Sequence, residues 1–131
     1  MENVYESPFS GRYSSEEMLR LFSKRTRHET WRRLWVELAR AERELGLPIR
    51  QEQVDELAAH VGDIDYAVVE AKEREIRHDV MAHIYAYGLV CPNAAGILHL
   101  GATSCYVTDN ADLVLYRDAL RLIRAELIPV L

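Results

Sequence analysis

Apolar residues recur at intervals of three and four through most of this chain, and glycines and prolines cut the recurrence into segments. Ser14 to Glu17 reads as a capping box, with Ser14 as N-cap and Glu17 three residues on, opening a short helix through Met18, Leu19 and Phe22. From Arg27 to Leu45, the residues Trp31, Leu34, Trp35, Leu38, Ala41 and Leu45 fall at helical spacing. Gly46 ends that helix and Pro48 prevents its restart. A third helix spans Gln51 to His60, with Val54, Leu57 and Ala58 inward and Gly62 as its stop. Asp63 or Asp65 then caps a helix through Val68, Val69 and Ala71, which runs into the mixed charges of Lys72 to Arg77. Another helix covers Asp79 to Val90 and breaks at Cys91-Pro92. Asn93 to Leu98 reads as a short helical turn. The last helix starts near Tyr106 and carries Val107, Leu113, Val114, Leu120, Ile123 and Leu127. No stretch alternates as a half-buried strand does, so the predicted fold is all-α, short helices first and a long one last.

A long terminal helix of this kind ordinarily continues into a bundle. The expected organisation is a helical domain over residues 1–105, with 106–131 as the start of a bundle domain. The chain closes on Ile128-Pro129-Val130-Leu131 without a cap or polar tail, so the expectation is an N-terminal piece of something longer.

The 131 residues suffice for one domain with a real core, and 49% apolar with 28% charged residues is ordinary for a soluble globular chain. A net charge of −5 argues against nucleic acid as a partner, so any phosphate must meet a local basic cluster. No segment is long and apolar enough to span a membrane, and the segment from Met1 to Ser7 lacks the basic and apolar regions of a signal peptide. Cys91 and Cys105 lack metal-type spacing and read as free thiols in a cytoplasmic protein.

The most informative stretch is His99 to Asn110. Gly101 forms a turn, and Thr103 and Ser104 stand directly before the long amphipathic run. Backbone N–H groups and two hydroxyls therefore gather at a helix start, where a carboxylate or phosphate is held without a metal. Ser and Thr also cap helices generally. Arg77-His78-Asp79 is the second cluster, at a break between two helical segments. A guanidinium, an imidazole and a carboxylate in sequence bind an anion and orient the imidazole; the plainer alternative makes Asp79 an N-cap with solvated neighbours. Arg12 and Tyr13 pair a charge with a hydroxyl, or are a surface arginine and a packing tyrosine. Trp31 and Trp35, one turn apart, belong in the core. His28 and His60 read as surface residues, His99 as a structural hydrogen-bonding group, and Cys105 as a buried or capping thiol. His78 and His83, five apart, do not share a helix face as a metal pair would. A metal-dependent HD-type hydrolase would need His28 and Asp112 as further ligands, and nothing in their spacing recommends it.

Four stretches together resemble the N-terminal part of the adenylosuccinate lyases, in the fumarase/aspartase superfamily. They are Arg12 to Met18; Thr30 to Trp35 with Glu42 and Leu45 to Ile49; Arg77 to His83; and Ala94 to Val107. The last two are specific when found together in this order. Thr108 stands where the family carries a glycine.

The resemblance implies the N-terminal helical domain of that superfamily, leading into the first long helix of a central bundle. It implies a β-elimination: adenylosuccinate is cleaved to AMP and fumarate, as is the succinylated carboxamide intermediate of purine synthesis. A general base removes the proton next to a carboxylate, an aci-carboxylate forms, and a general acid protonates the leaving nitrogen. Thr103 and Ser104 would hold the succinyl portion, Arg12 and Tyr13 the nucleotide side, and Arg77, His78 and Asp79 would form a substrate-binding triplet. His78 has a possible supporting catalytic role. The family's acid and base motifs, a Thr-His pair and a Ser-bearing flexible loop, do not occur in these residues, so the chain is expected to be silent alone. No cofactor and no metal are expected, and the whole enzyme is expected to be a homotetramer with shared active sites. The alternatives are another lyase of the superfamily and a noncatalytic helical interaction module.

Overall fold

The computed structural model describes residues 5–130 and is all-α, with no strand among them. Met1 to Val4, most of the segment read as lacking a signal peptide, and the terminal Leu131 lie outside the described residues. A single π-type turn, Phe9–Tyr13, precedes α1 (Glu16–Leu21), α2 (Lys24–Glu44), α3 (Gln51–Ala59), α4 (Tyr66–Ile76) and α5 (Asp79–Val90). A 3₁₀ turn, Ala95–Ile97, leads to α6 (Ser104–Leu127), and another, Ile128–Val130, follows it. Among the described residues no helix is long and apolar enough to cross a membrane.

Capping explains most boundaries and corrects the expected start of α1. Ser15, not Ser14, caps α1: its Oγ accepts from the Met18 N–H at 3.2 Å, whereas the Ser14 hydroxyl donates backwards to the Phe9 carbonyl at 2.7 Å. The preceding π-type turn draws Ser14 away from the helix and shifts the cap by one residue. Ser23 caps α2 by accepting from Thr26 N–H, so α2 starts three residues earlier than its apolar spacing suggests. Asp65, of the two candidates, caps α4 through the Ala67 and Val68 N–H groups. At α3 the Gln53 side-chain oxygen accepts from Arg50 N–H while its amide donates to the Asn93 carbonyl. That dual bonding explains why Gln53 is buried.

The core forms where α2 meets α3, α5 and α6. Trp31, Trp35, Val36, Ala39, Val54, Leu57, Val80, Tyr87, Cys91, Val107 and Ala111 are all buried in it. Each large side chain removed from water here contributes roughly 1.5–3 kcal/mol. The inward stripe of α2 runs through positions 28, 31, 32, 35, 36 and 39, so Ala41 and Leu45 at its far end are exposed. Ala58 of α3 is likewise exposed, its expected place taken by Gln53. On α6 the buried face is Val107, Ala111, Leu115 and Ala119. Leu113, Leu120, Ile123 and Leu127, predicted from the same periodicity, instead form an outward row. Small residues on the inner face let α6 lie close to α2, and the larger apolar residues are left on the other side.

Arg32 is fully buried with no carboxylate partner. Its Nη1 donates to the carbonyls of His60 at 2.7 Å and Asp63 at 2.9 Å, and its guanidinium lies 4.1 Å from the centre of the Tyr87 ring. Those carbonyls follow the end of α3, where helical acceptors lack intrahelical donors, so the arginine closes that end from inside. His28 is also buried, against the surface prediction: it sits on the inward stripe of α2, 3.9 Å from the His83 ring centre and 5.0 Å from Trp31. His60 is half exposed and pairs with Asp63.

Candidate functional site

The start of α5 is built on a left-handed residue. Arg77 ends α4 at φ 55°, its N–H donating to the Glu73 carbonyl at 2.8 Å. A side chain held there costs about 1–2 kcal/mol relative to a right-handed conformation. The turn delivers His78 in extended conformation, and His78, not Asp79, is the N-cap: its Nδ1 accepts from the Met81 N–H at 3.3 Å. Asp79 is already the first helical residue, its carboxylate accepting from Val80 N–H at 2.7 Å. The expected Asp79 cap is therefore displaced by one residue, because Arg77 absorbs the chain reversal. With Nδ1 engaged as an acceptor, a neutral His78 carries its proton on Nε2, and the side chain is 45% exposed to meet a ligand.

The start of α6 repeats this design with one difference. His99 takes φ 60° and Gly101 φ 64°, and the Ala102 N–H donates to the His99 carbonyl at 3.2 Å. Two left-handed residues in three reverse the chain tightly; glycine adopts this conformation freely, whereas histidine is strained in it. Thr103 then sits at the N-cap in extended conformation, but its hydroxyl makes no capping bond. Neither Thr103 nor Ser104 spends its hydroxyl within the described residues, and the first turn of α6 has no acidic side chain. The helix start thus offers unpaired N–H groups and two hydroxyls in a field that favours negative charge. Tyr106 holds the turn against α2 by donating to the Leu34 carbonyl at 2.9 Å.

Burial holds the His99 imidazole below its ordinary range, and the electrostatic influence of His78 acts in the same direction. Arg77 and His99 are the non-glycine residues with positive φ among those described, and each belongs to one of the two sequence clusters. A left-handed residue commonly terminates a helix, and Arg77 does so for α4.

Arg12 and Tyr13 are not brought to this pair of helix starts by any hydrogen bond, ion pair or ring contact among the described residues. They lie exposed on the π-type turn, the Arg12 guanidinium 5.9 Å from the Tyr13 ring centre. Cys105 is an exposed free thiol, which corrects the expectation of a buried or capping one; Cys91 is buried, and burial raises its pKa to about 11. His99 does make the structural hydrogen bond expected of it, accepting from Trp35 Nε1 at 2.9 Å.

Behind the α5 start, His28 and His83 belong to a cleft of about 480 Å³ that also includes Lys24, Arg27, Glu73 and Asp79. Burial lowers His28 to about 4 and His83 to about 3, with neighbouring positive groups adding to the effect. Sequence reasoning missed this stack. The signal was present: His28 precedes Trp31 and Trp35 by three and seven residues, the spacing of one helix face.

No family model matches the chain. Individual relatives do. Adenylosuccinate lyase of Saccharomyces cerevisiae is 51% identical over 130 residues, 97% of this chain and 27% of the relative. Adenylosuccinate lyase of Schizosaccharomyces pombe is 50% identical over the same shares, and that of Pyrococcus abyssi is 32% identical over 92% of this chain and 27% of the relative. The chain spans about a quarter of the length of the curated relatives it matches. Over nearly its whole length, then, this chain is related in sequence to the adenylosuccinate lyases.

Proposed function

We propose that this chain supplies substrate-binding residues to an adenylosuccinate lyase, which releases fumarate from adenylosuccinate and from the succinylated carboxamide intermediate of purine synthesis. The observation that carries the reading is the pair of strained helix starts. They hold Arg77, His78, Asp79, Thr103 and Ser104 in a chain whose relatives bear that enzyme's name. In the elimination, loss of the proton beside a carboxylate leaves an aci-carboxylate with two negative oxygens. The unspent hydroxyls and N–H groups at the α6 start suit that dianion, because they are already oriented before charge develops. Arg77 and the Nε2–H of His78 suit a phosphate or carboxylate on the other side, with Asp79 shaping the polar surroundings. Arg12 and Tyr13, exposed on their turn, complete the nucleotide side. The general acid and base come from elsewhere in the enzyme.

The outward row Leu113, Tyr116, Leu120, Ile123 and Leu127 alternates steps of three and four, the spacing of a helix seam. It supports α6, from residue 106 on, as the start of a bundle; the same reading takes the whole enzyme as a cytoplasmic homotetramer with shared sites. The test is an assay for fumarate release. The intact enzyme containing this segment cleaves adenylosuccinate, and the 131-residue chain alone does not. Cleavage by the chain alone would overturn the shared-site reading, and an intact enzyme inert to adenylosuccinate would overturn the substrate assignment.

A further inference from the structure

Trp35 lies in the middle of α2, is 1% exposed, and points its one polar atom out of the core at His99. The indole N–H is a donor only, so the His99 Nδ1 that receives it at 2.9 Å must be bare of hydrogen. A bare Nδ1 places the neutral ring's proton on Nε2. The two rings also meet edge to face, at 88° with centres 6.0 Å apart, so the imidazole is fixed in plane as well as in tautomer. The backbone of His99 is itself left-handed and leads into the Gly101 turn that presents Thr103 and Ser104. A histidine in that conformation needs an outside contact to hold it, and among the described residues the Trp35 indole is the hydrogen-bonding partner of its side chain.

We infer that Trp35 is a positioning residue for the candidate site: its indole N–H locks His99 into the Nε2–H tautomer and thereby holds the turn that carries Thr103 and Ser104. This rests on the reading of those hydroxyls as substrate-holding groups, but the tautomer itself does not. Desolvation of His99 agrees with the assignment, since a neutral imidazole is what a buried N–H donor requires opposite it. The role extends a hydrophobic-core tryptophan into the site through one polar atom, in the way partners behind a ligand-binding side chain fix its orientation.

The test measures imidazole 15N shifts in the intact protein, wild type and Trp35→Phe, alongside adenylosuccinate cleavage. Phenylalanine keeps an aromatic ring and removes the N–H. In the wild type His99 shows a protonated Nε2 and an unprotonated Nδ1. In W35F the two tautomers mix, and kcat/KM falls about tenfold, at the lower end of what loss of such a partner produces. A wild-type His99 protonated at Nδ1 overturns the inference without any variant, which keeps it testable if W35F does not fold. A W35F enzyme with an unchanged tautomer, or with a mixed tautomer and unchanged kcat/KM, also overturns it. A wild-type enzyme inert to adenylosuccinate with the Nε2–H form intact overturns the functional reading instead, and leaves the tautomer lock standing.

Discussion

Two pairs of histidines lie on or near α5, and they sit in opposite environments. His28 and His83 are buried, stacked ring on ring, and His83 Nδ1 has no hydrogen-bond partner. His78 and His99 lie at the surface or partly buried, each with Nδ1 committed to a fixed donor and Nε2 left for something else. The first pair fills space and is penalised for any charge. The second is oriented by the fold and left half unsatisfied. His28 also engages its Nδ1, with the Tyr66 hydroxyl at 3.3 Å, so burial, and not that bond, sets the first pair apart from the second.

The largest expected effect tests the buried pair. Both pKa values lie below the ordinary 6.5, at about 4 and about 3, so the unfolded chain binds protons that the folded chain refuses. Above pH 6.5 the two states bind alike and these groups do not affect stability. As pH falls from 6.5 toward 4, stability is lost by roughly 1.4 kcal/mol per pH unit for each histidine that protonates only on unfolding. Denaturant titrations across that range should show this slope, and His83→Phe should flatten it; an identical slope in the variant would mean the stack is not responsible.

Next in size is the catalytic consequence of the oriented pair. In the intact enzyme His78→Ala should lower turnover by about 10²-fold or more, the scale of a positioned polar group. Near-wild-type turnover would reduce His78 to a cap. The cap itself predicts a smaller effect: His78→Ala should also cost about 1 kcal/mol of stability, read from chemical unfolding, because the Met81 N–H loses its acceptor. The smallest effect is at α6. Thr103→Ala should change stability by less than about 0.5 kcal/mol, since that hydroxyl caps nothing. It should nonetheless weaken substrate turnover, and a stability loss as large as that of His78→Ala would show the hydroxyl to be structural after all.

The helices were legible because their signals are local. Gly46, Pro92 and Asp65 punctuate the chain through backbone conformation and capping, which depend on a few neighbours. The inward faces were legible only where a helix is covered on one side. On α6 the periodicity of Leu113, Leu120 and Leu127 is as regular as that of Val107, Ala111 and Leu115, and only packing against α2 decides which row is inside. The caps at Ser15 and His78 each moved by one residue, because the preceding turn, not the capping side chain, sets where helical conformation begins. Both candidate clusters stand out as residues, but their strain does not: nothing in the letters at 77 or 99 announces a left-handed backbone. The Trp35–His99 bond spans 64 residues and has no trace in local pattern.

The ion pair between Arg27 and Asp112, at 2.7 Å, joins positions 85 residues apart, and Phe22 and Tyr116 meet beside it. Helices α4 and α5 are joined by a two-residue connection, so their pairing is available early to a chain emerging from the ribosome. The flank of α2 that receives α6 has no such local partner. It stays open until α6 is delivered, although Trp35 can already meet Tyr87 of α5. The order of synthesis therefore leaves one flank of α2 uncovered until α6 emerges, and a pause in translation between α5 and α6 would prolong its exposure to misassociation.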